Sequence, residues 1–188
     1  MTDNTAQTLE IPGYKTGTWV LDPAHSEVAF SVRHMMISKV RGAFGVKSGT
    51  IVAPENPLEV RIEASAETAS VDTKDEGRDT HLRSADFFDA ETHPTIDFVS
   101  QGVRVEDGDF LVDGDLTIRG VTKPVTFEVE FGGFGTDPWG NYKAGATAKT
   151  VVNREEFGLV WNAALETGGV LVGKDVTITL DLQGALQA

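Results

Sequence analysis

Trp19-Val-Leu-Asp22-Pro-Ala-His25-Ser26-Glu27-Val28-Ala-Phe30-Ser31-Val32-Arg33-His34-Met35-Met36-Ile37-Ser-Lys39-Val40-Arg41-Gly42-Ala-Phe44 sets the register for the rest of the chain. Val28, Phe30 and Val32 share one parity, opposed by Glu27, Ser31 and Arg33, which is the period of a strand with one buried face. His34 extends the apolar parity to the strand end. His25 has the other parity and follows Asp22-Pro23, so it reads as part of a turn. Past His34 the alternation gives way to the apolar run Met35-Met36-Ile37, which could meet a membrane, a second subunit or the body of its own domain. No acid occurs between Glu27 and Glu55, and Arg33, Lys39, Arg41 and Lys47 give that interval a local +4.

The same alternation recurs outward from this block. Val60, Ile62, Ala64 and Ala66 oppose Glu59, Arg61, Glu63 and Ser65; Val125, Phe127, Val129 and Phe131 oppose Thr126, Glu128 and Glu130. Val176, Ile178, Leu180 and Leu182 oppose Asp175, Thr177, Thr179 and Asp181. Half-buried strands of this kind pair antiparallel. Asp107-Gly108 reads as a hairpin turn, because glycine accepts the positive φ of a primed turn. Gly132-Gly133, Asp137-Pro138 and Gly168-Gly169 read as further loops. One short helix around residues 74–85 interrupts the strands, with Thr73 and Glu76 as an expected capping box. Residues 1–14 read as a flexible tail and 15–188 as one domain. This pattern leaves a closed barrel and a sandwich both open.

With 188 residues the chain can bury a sizeable core without staples. It has no cysteine, which excludes disulfides and thiolate chemistry. Sixteen basic residues against twenty-nine acidic ones, a net −13, argue against a nucleic-acid partner. Outside residues 28–54, twelve basic and twenty-nine acidic residues leave −17, so the basic interval is an island on an acidic body. Its bland reading is a set of solvated surface side chains. The first ten residues lack the basic start and apolar core of a secretory signal, which reads as cytoplasmic. His25, His34, His81 and His93 lack the short spacings of a zinc site, so no metal is expected. No nucleophile elbow or phosphate loop is present, and Asp86 and Asp89 read as loop carboxylates, so no catalytic residue is assigned.

Four ordered blocks resemble the YceI-like family. Residues 19–44 are similar to its opening block. His81-Leu82-Arg83-Ser84-Ala85-Asp86-Phe87-Phe88-Asp89-Ala90, with Pro94 and Phe98, resembles its helix-to-strand block. Gly114-Asp115-Leu116-Thr117-Ile118-Arg119-Gly120, continuing to Val125, resembles the next strand and turn, and Asn153-Arg154 through Trp161 the C-terminal block. The resemblance implies an all-β, lipocalin-like antiparallel barrel of about eight strands that holds a polyisoprenoid or other long-chain amphiphile without catalysis. It also makes a homodimer plausible. The alternatives are an enzyme acting on an isoprenoid or fatty substrate in the same cavity, and an interaction module with a filled barrel.

Small inward residues bear on whether the interior is hollow or packed, and alone they leave both open. Ala144, Ala146 and Ala148 share parity with Tyr142; Ala64, Ala66 and Gly42 lie on other inward faces, opposite Phe30, Phe44, Phe98 and Phe127. They leave room for a ligand or for bulky neighbours. With the resemblance, the expected wall is Val28, Phe30, Val32, Phe44, Val60, Ile62, Phe98, Leu116, Phe127 and Val129. Tyr142, Ala144 and Ala146 are expected on its open side, and His34, Arg33 and Arg154 at the polar end; Arg154 reads also as a brace of the barrel end, and the Trp161 ring suits a mouth or a core seal. The ligand takes the place of a cofactor, and residues 33–47 are the expected site of any transient membrane contact.

Overall fold

The computed structural model describes residues 9–188. Nine strands form one antiparallel sheet: β1 (Gly17–Leu21), β2 (Glu27–His34), β3 (Ser38–Ala53), β4 (Arg61–Glu67), β5 (Thr95–Glu106), β6 (Asp109–Ile118), β7 (Val121–Thr136), β8 (Tyr142–Asn153) and β9 (Val172–Leu186). Their order is β1-β3-β2-β9-β8-β7-β6-β5-β4, and the β3–β4 pairing closes the ring. β1 pairs with β3 and β9, the same two neighbours as β2, but further along both. β1 and β2 are therefore two halves of one stave, broken at the 3-10 turn Pro23–His25. The barrel has eight staves. Closure gives every stave a paired neighbour on both sides over part of its length, so the sheet has no free edge strand among the described residues.

Alternation builds the wall. Along β6, Val112, Gly114, Leu116 and Ile118 are buried, whereas Leu111, Asp113, Asp115 and Thr117 are only half-buried. The β5–β6 turn at Asp107-Gly108 and the β6–β7 turn at Arg119-Gly120 both place two successive residues at positive φ, as primed hairpin turns require. Gly132-Gly133, in contrast to the expected loop, lies inside β7. The register slips between Phe131 and Gly133, and this bulge turns both Phe131 and Phe134 into the cavity. A second slip between Ser100 and Gly102 brings Val103 in line with Phe98 in the same way.

Helix α1 (Glu76–Arg83) lies in the β4–β5 connection, close to its expected bounds. Its cap differs from expectation. Asp75 Oδ1 accepts from Arg78 N at 2.9 Å and is the N-cap. Lys74 adopts φ 63, so Thr73 is turned away from the helix start. Its hydroxyl and amide instead donate to the buried Asp79 carboxylate.

The expected tail also departs from its boundaries. Residues 1–8 lie outside the described residues, but Ile11 and Tyr14 line the barrel interior. Tyr14 donates its hydroxyl to Pro54 O at 2.6 Å, and Gly13 O accepts from the Tyr142 hydroxyl at 2.7 Å. Apolar side chains on an otherwise polar segment explain the docking: they cover the end of the barrel away from α1.

Candidate functional site

Strand direction defines two ends. The β2–β3 hairpin, α1, the β6–β7 turn and the segment between β8 and β9 lie at one, the helix end. The β3–β4 connection, the β5–β6 and β7–β8 turns and the N-terminal segment lie at the other. Between them runs a cavity of about 620 Å³, within the ordinary range for small-molecule sites.

The cavity touches every stave. Val28, Phe30 and Val32 of β2, Phe44 of β3, Ile62 of β4, Phe98 of β5, Leu116 of β6 and Phe127 and Val129 of β7 line it, as does Val60 just before β4. Ala144 and Ala146 of β8 line it as well. Tyr142 does not. Its ring stacks on Phe134 (6.1 Å between centroids, 11°), meets Trp19 at 5.8 Å and carries Lys15 Nζ at 3.8 Å. It is a stopper behind the lining, because its parity is inward but its place is the barrel end.

Gly42 does not leave free volume either. A Cβ there would lie 2.5 Å from Phe30 Cζ and 2.8 Å from the Thr73 methyl, so the paired Phe30 ring already lies across it. The space that remains is bordered by alanines of β4 and β8.

At the helix end, Phe87, Leu116, Ile118, Val152, Phe157 and Leu159 pack as one buried cluster against Leu82, Phe88 and Trp161. Trp161 lines the cavity and meets His81 edge-on at 4.6 Å and 85°. The His81 ring is held by Asp86, with Nε2 2.8 Å from Oδ2. Arg33 and Gly77 both line the cavity and are exposed, marking where it reaches solvent at this end. His34 lines it beside them, and its imidazole has no hydrogen-bond partner among the described residues. Arg78 lines it too, with its guanidinium donating to Thr73 Oγ1 and Thr73 O.

Arg154 borders the cavity but is committed elsewhere. Only 5 % exposed, it donates to Gly173 O (2.7 Å), Leu159 O (2.6 Å), Trp161 O (3.0 Å) and Val172 O (3.3 Å). These carbonyls belong to both ends of the β8–β9 connection, so the side chain ties that connection shut. Burial lowers its pKa, partly countered by the charge of Glu155. Its geometry is that of a brace rather than a head-group ligand.

Several lining residues were not among those expected: Arg78, His81, Leu82, Phe87 and Phe88 around α1, and Ile178, Leu180 and Leu182 on β9. The β9 side chains were legible from their alternation. The helix residues depended on how α1 is laid over the barrel.

A closed eight-stranded barrel around an apolar cavity, with one helix across an end, is the architecture of a small-molecule-binding barrel. The family model described as YceI-like domain matches residues 19–184, and the chain belongs to this family. A UPF0312 protein of Staphylococcus aureus is 39% identical over 160 residues, covering 84% of this chain and 91% of the relative. Burkholderia cenocepacia BcnA superposes with a TM-score of 0.74 at 24% identity, covering 87% and 98% of the two chains. A Campylobacter jejuni YceI protein gives 0.66 at 26% identity, covering 83% and 90%. A polyisoprenoid binding domain from Saccharophagus degradans gives 0.66 at 13% identity, covering 92% and 100%, and shares the fold.

Proposed function

We propose that the barrel is a non-enzymatic carrier of a long-chain amphiphile, a polyisoprenoid or a tail of similar character. The observation that carries this reading is the cavity itself: apolar side chains from all eight staves, continuous from Ile11 and Tyr14 at one end to Val32 at the other. Membership of a family with a polyisoprenoid-binding structural neighbour supports the same reading.

The energetics favour a tail over a compact ligand. Each buried methylene is worth about 0.8 kcal/mol, so a sixteen-carbon tail gains on the order of 13 kcal/mol before ordering costs. The head group then lies at the helix end, where Arg33 and the His34 imidazole, which has no hydrogen-bond partner among the described residues, offer donors. A bilayer solvates the tail about as well as the barrel does, so selectivity rests on cavity length and on these polar groups.

Native mass spectrometry of protein purified without detergent, followed by organic extraction, tests the reading. The expected result is a mass above that of the bare chain, released as a lipid on extraction. Agreement of native and denatured masses across preparations, with nothing extractable, would overturn it.

A further inference from the structure

We propose that the helix end docks on an anionic lipid bilayer, with the β2–β3 tip inserted among the head groups. The tip is an exposed apolar surface. Met35 is 44%, Met36 56% and Ile37 79% exposed. Val160 and Val170, in the segment between β8 and β9, are exposed at the same end. The two segments are joined: Met35 N donates to Leu171 O at 2.8 Å, and the Met36 side chain lies against Gly169.

The tip backbone adds a second argument. Met35 (φ 53) and Met36 (φ 62) both occupy the left-handed region, where a bulky side chain carries strain. The two-residue loops of the β5–β6 and β6–β7 hairpins place Asp107-Gly108 and Arg119-Gly120 in that region, whereas the three-residue β2–β3 loop places two methionines there. At the β2–β3 tip, partly exposed apolar side chains replace the residues that the turn prefers, at a conformational cost. Contact with an apolar phase recovers that cost.

Charge selects the kind of surface. Arg33, Lys39 and Arg41 flank the tip, are exposed, and have no ion pair among the described residues. Several carboxylates at this end are already engaged: Asp72 with Lys74 at 3.1 Å, Asp86 with His81, and Glu155 with Lys174 at 3.4 Å. The exposed Asp75, Glu76, Glu91, Glu156, Glu166 and Asp175 lie at this end as well and dilute the basic patch, so apolar insertion has to carry most of the work. On a chain of net −13 the patch also orients approach, because an anionic bilayer repels the rest of the body. Docking in this pose sets the exposed cavity residues Arg33 and Gly77 near the lipid; the step from docking to lipid exchange rests on the carrier reading above.

The test is flotation of the full chain with vesicles of phosphatidylcholine alone and of phosphatidylcholine containing a quarter phosphatidylglycerol. Wild type should partition at least about tenfold better onto the anionic vesicles, and salt should weaken that preference. Each basic residue at such a surface strengthens binding about fivefold, so Lys39→Ser with Arg41→Ser should lower partitioning on the order of thirtyfold. Ile37→Ser should lower it on the order of tenfold, through loss of apolar burial. Trp139→Ser, at the far end, should change nothing. All variants should retain the wild-type melting temperature and co-purifying mass, so failure to dock is distinguishable from failure to carry. Equal partitioning onto both vesicle types, or wild-type binding by Ile37→Ser, would overturn the proposal. A dimer that Ile37→Ser dissociates, without vesicle binding by wild type, would assign the tip to a second copy and overturn it equally.

Discussion

Asp79 accepts from Thr73 twice, from the amide at 2.8 Å and from the hydroxyl at 2.6 Å, and both residues are buried. This pair fixes the entry to α1 against the barrel, where the expected capping box would have fixed only the helix start. Loss of the shared acceptor of two buried donors costs more than loss of an exposed cap. Asp79→Ala should therefore lower stability by about 2–4 kcal/mol, measured by urea unfolding. Asp75→Ala, which removes the exposed cap, should cost only about 1 kcal/mol. Equal losses from both would contradict the assignment.

Arg154 spans four carbonyls that a single ammonium cannot reach together. Arg154→Lys keeps the charge and loses the fork, and should cost about 2–3 kcal/mol. Hydrogen exchange should accelerate mainly between residues 159 and 173. Uniform acceleration across the barrel would show that the brace acts on the whole fold instead.

Ala146 lines the cavity between Phe131 on β7 and Leu182 on β9. If the barrel carries the proposed amphiphile, Ala146→Phe should abolish its co-purification while keeping stability near wild type, since the ring fills open volume. A packed interior would instead be overfilled, at about 1–3 kcal/mol. Lys149→Ala, exposed on the outer face of the same strand, should alter neither property. Thermal melts and native masses of the three proteins separate the cases.

The outer wall carries its own titration marker. The Arg104 guanidinium, and then the Thr126 hydroxyl, hold the Asp113 carboxyl below the usual aspartate range. A lowered folded pKa means that this contribution to stability is present above the unfolded value, about pH 4, and is lost as pH falls through the folded value. In an NMR titration Asp113 should stay ionised below pH 4, and Arg104→Ala should return its midpoint toward the ordinary range. An unmoved midpoint would remove Arg104 as the cause.

Strand periodicity carried most of the barrel wall, because a side chain of the inward parity on a closed sheet has nowhere else to go. Val28, Phe98 and Val129 needed no more than that. What escaped were the places where the parity slips or the chain leaves the sheet. Gly132-Gly133 has the composition of a loop, and only its pairing with β8 makes it a bulge. Tyr142 has an inward parity, but its depth depends on the N-terminal segment folding back over it. Arg154 reads both as an anion ligand and as a brace, and only the carbonyls of Leu159, Trp161, Val172 and Gly173 placed around it select the brace. Gly42 illustrates the same limit on a smaller scale: absence of a side chain signals space, whereas here it seats the ring of the opposite strand.

The three tryptophans divide the molecule optically. Trp19, 4 % exposed, lines the cavity near the N-terminal segment, Trp161 lines it at the helix end, and Trp139 is 84% exposed outside the barrel. Indole emission follows local polarity, so the chain contains two internal reporters and one external reference without any label. With Trp139 replaced, the remaining spectrum comes only from the two ends of the cavity. Quenching by a brominated tail would then show how far along the barrel the occupant extends.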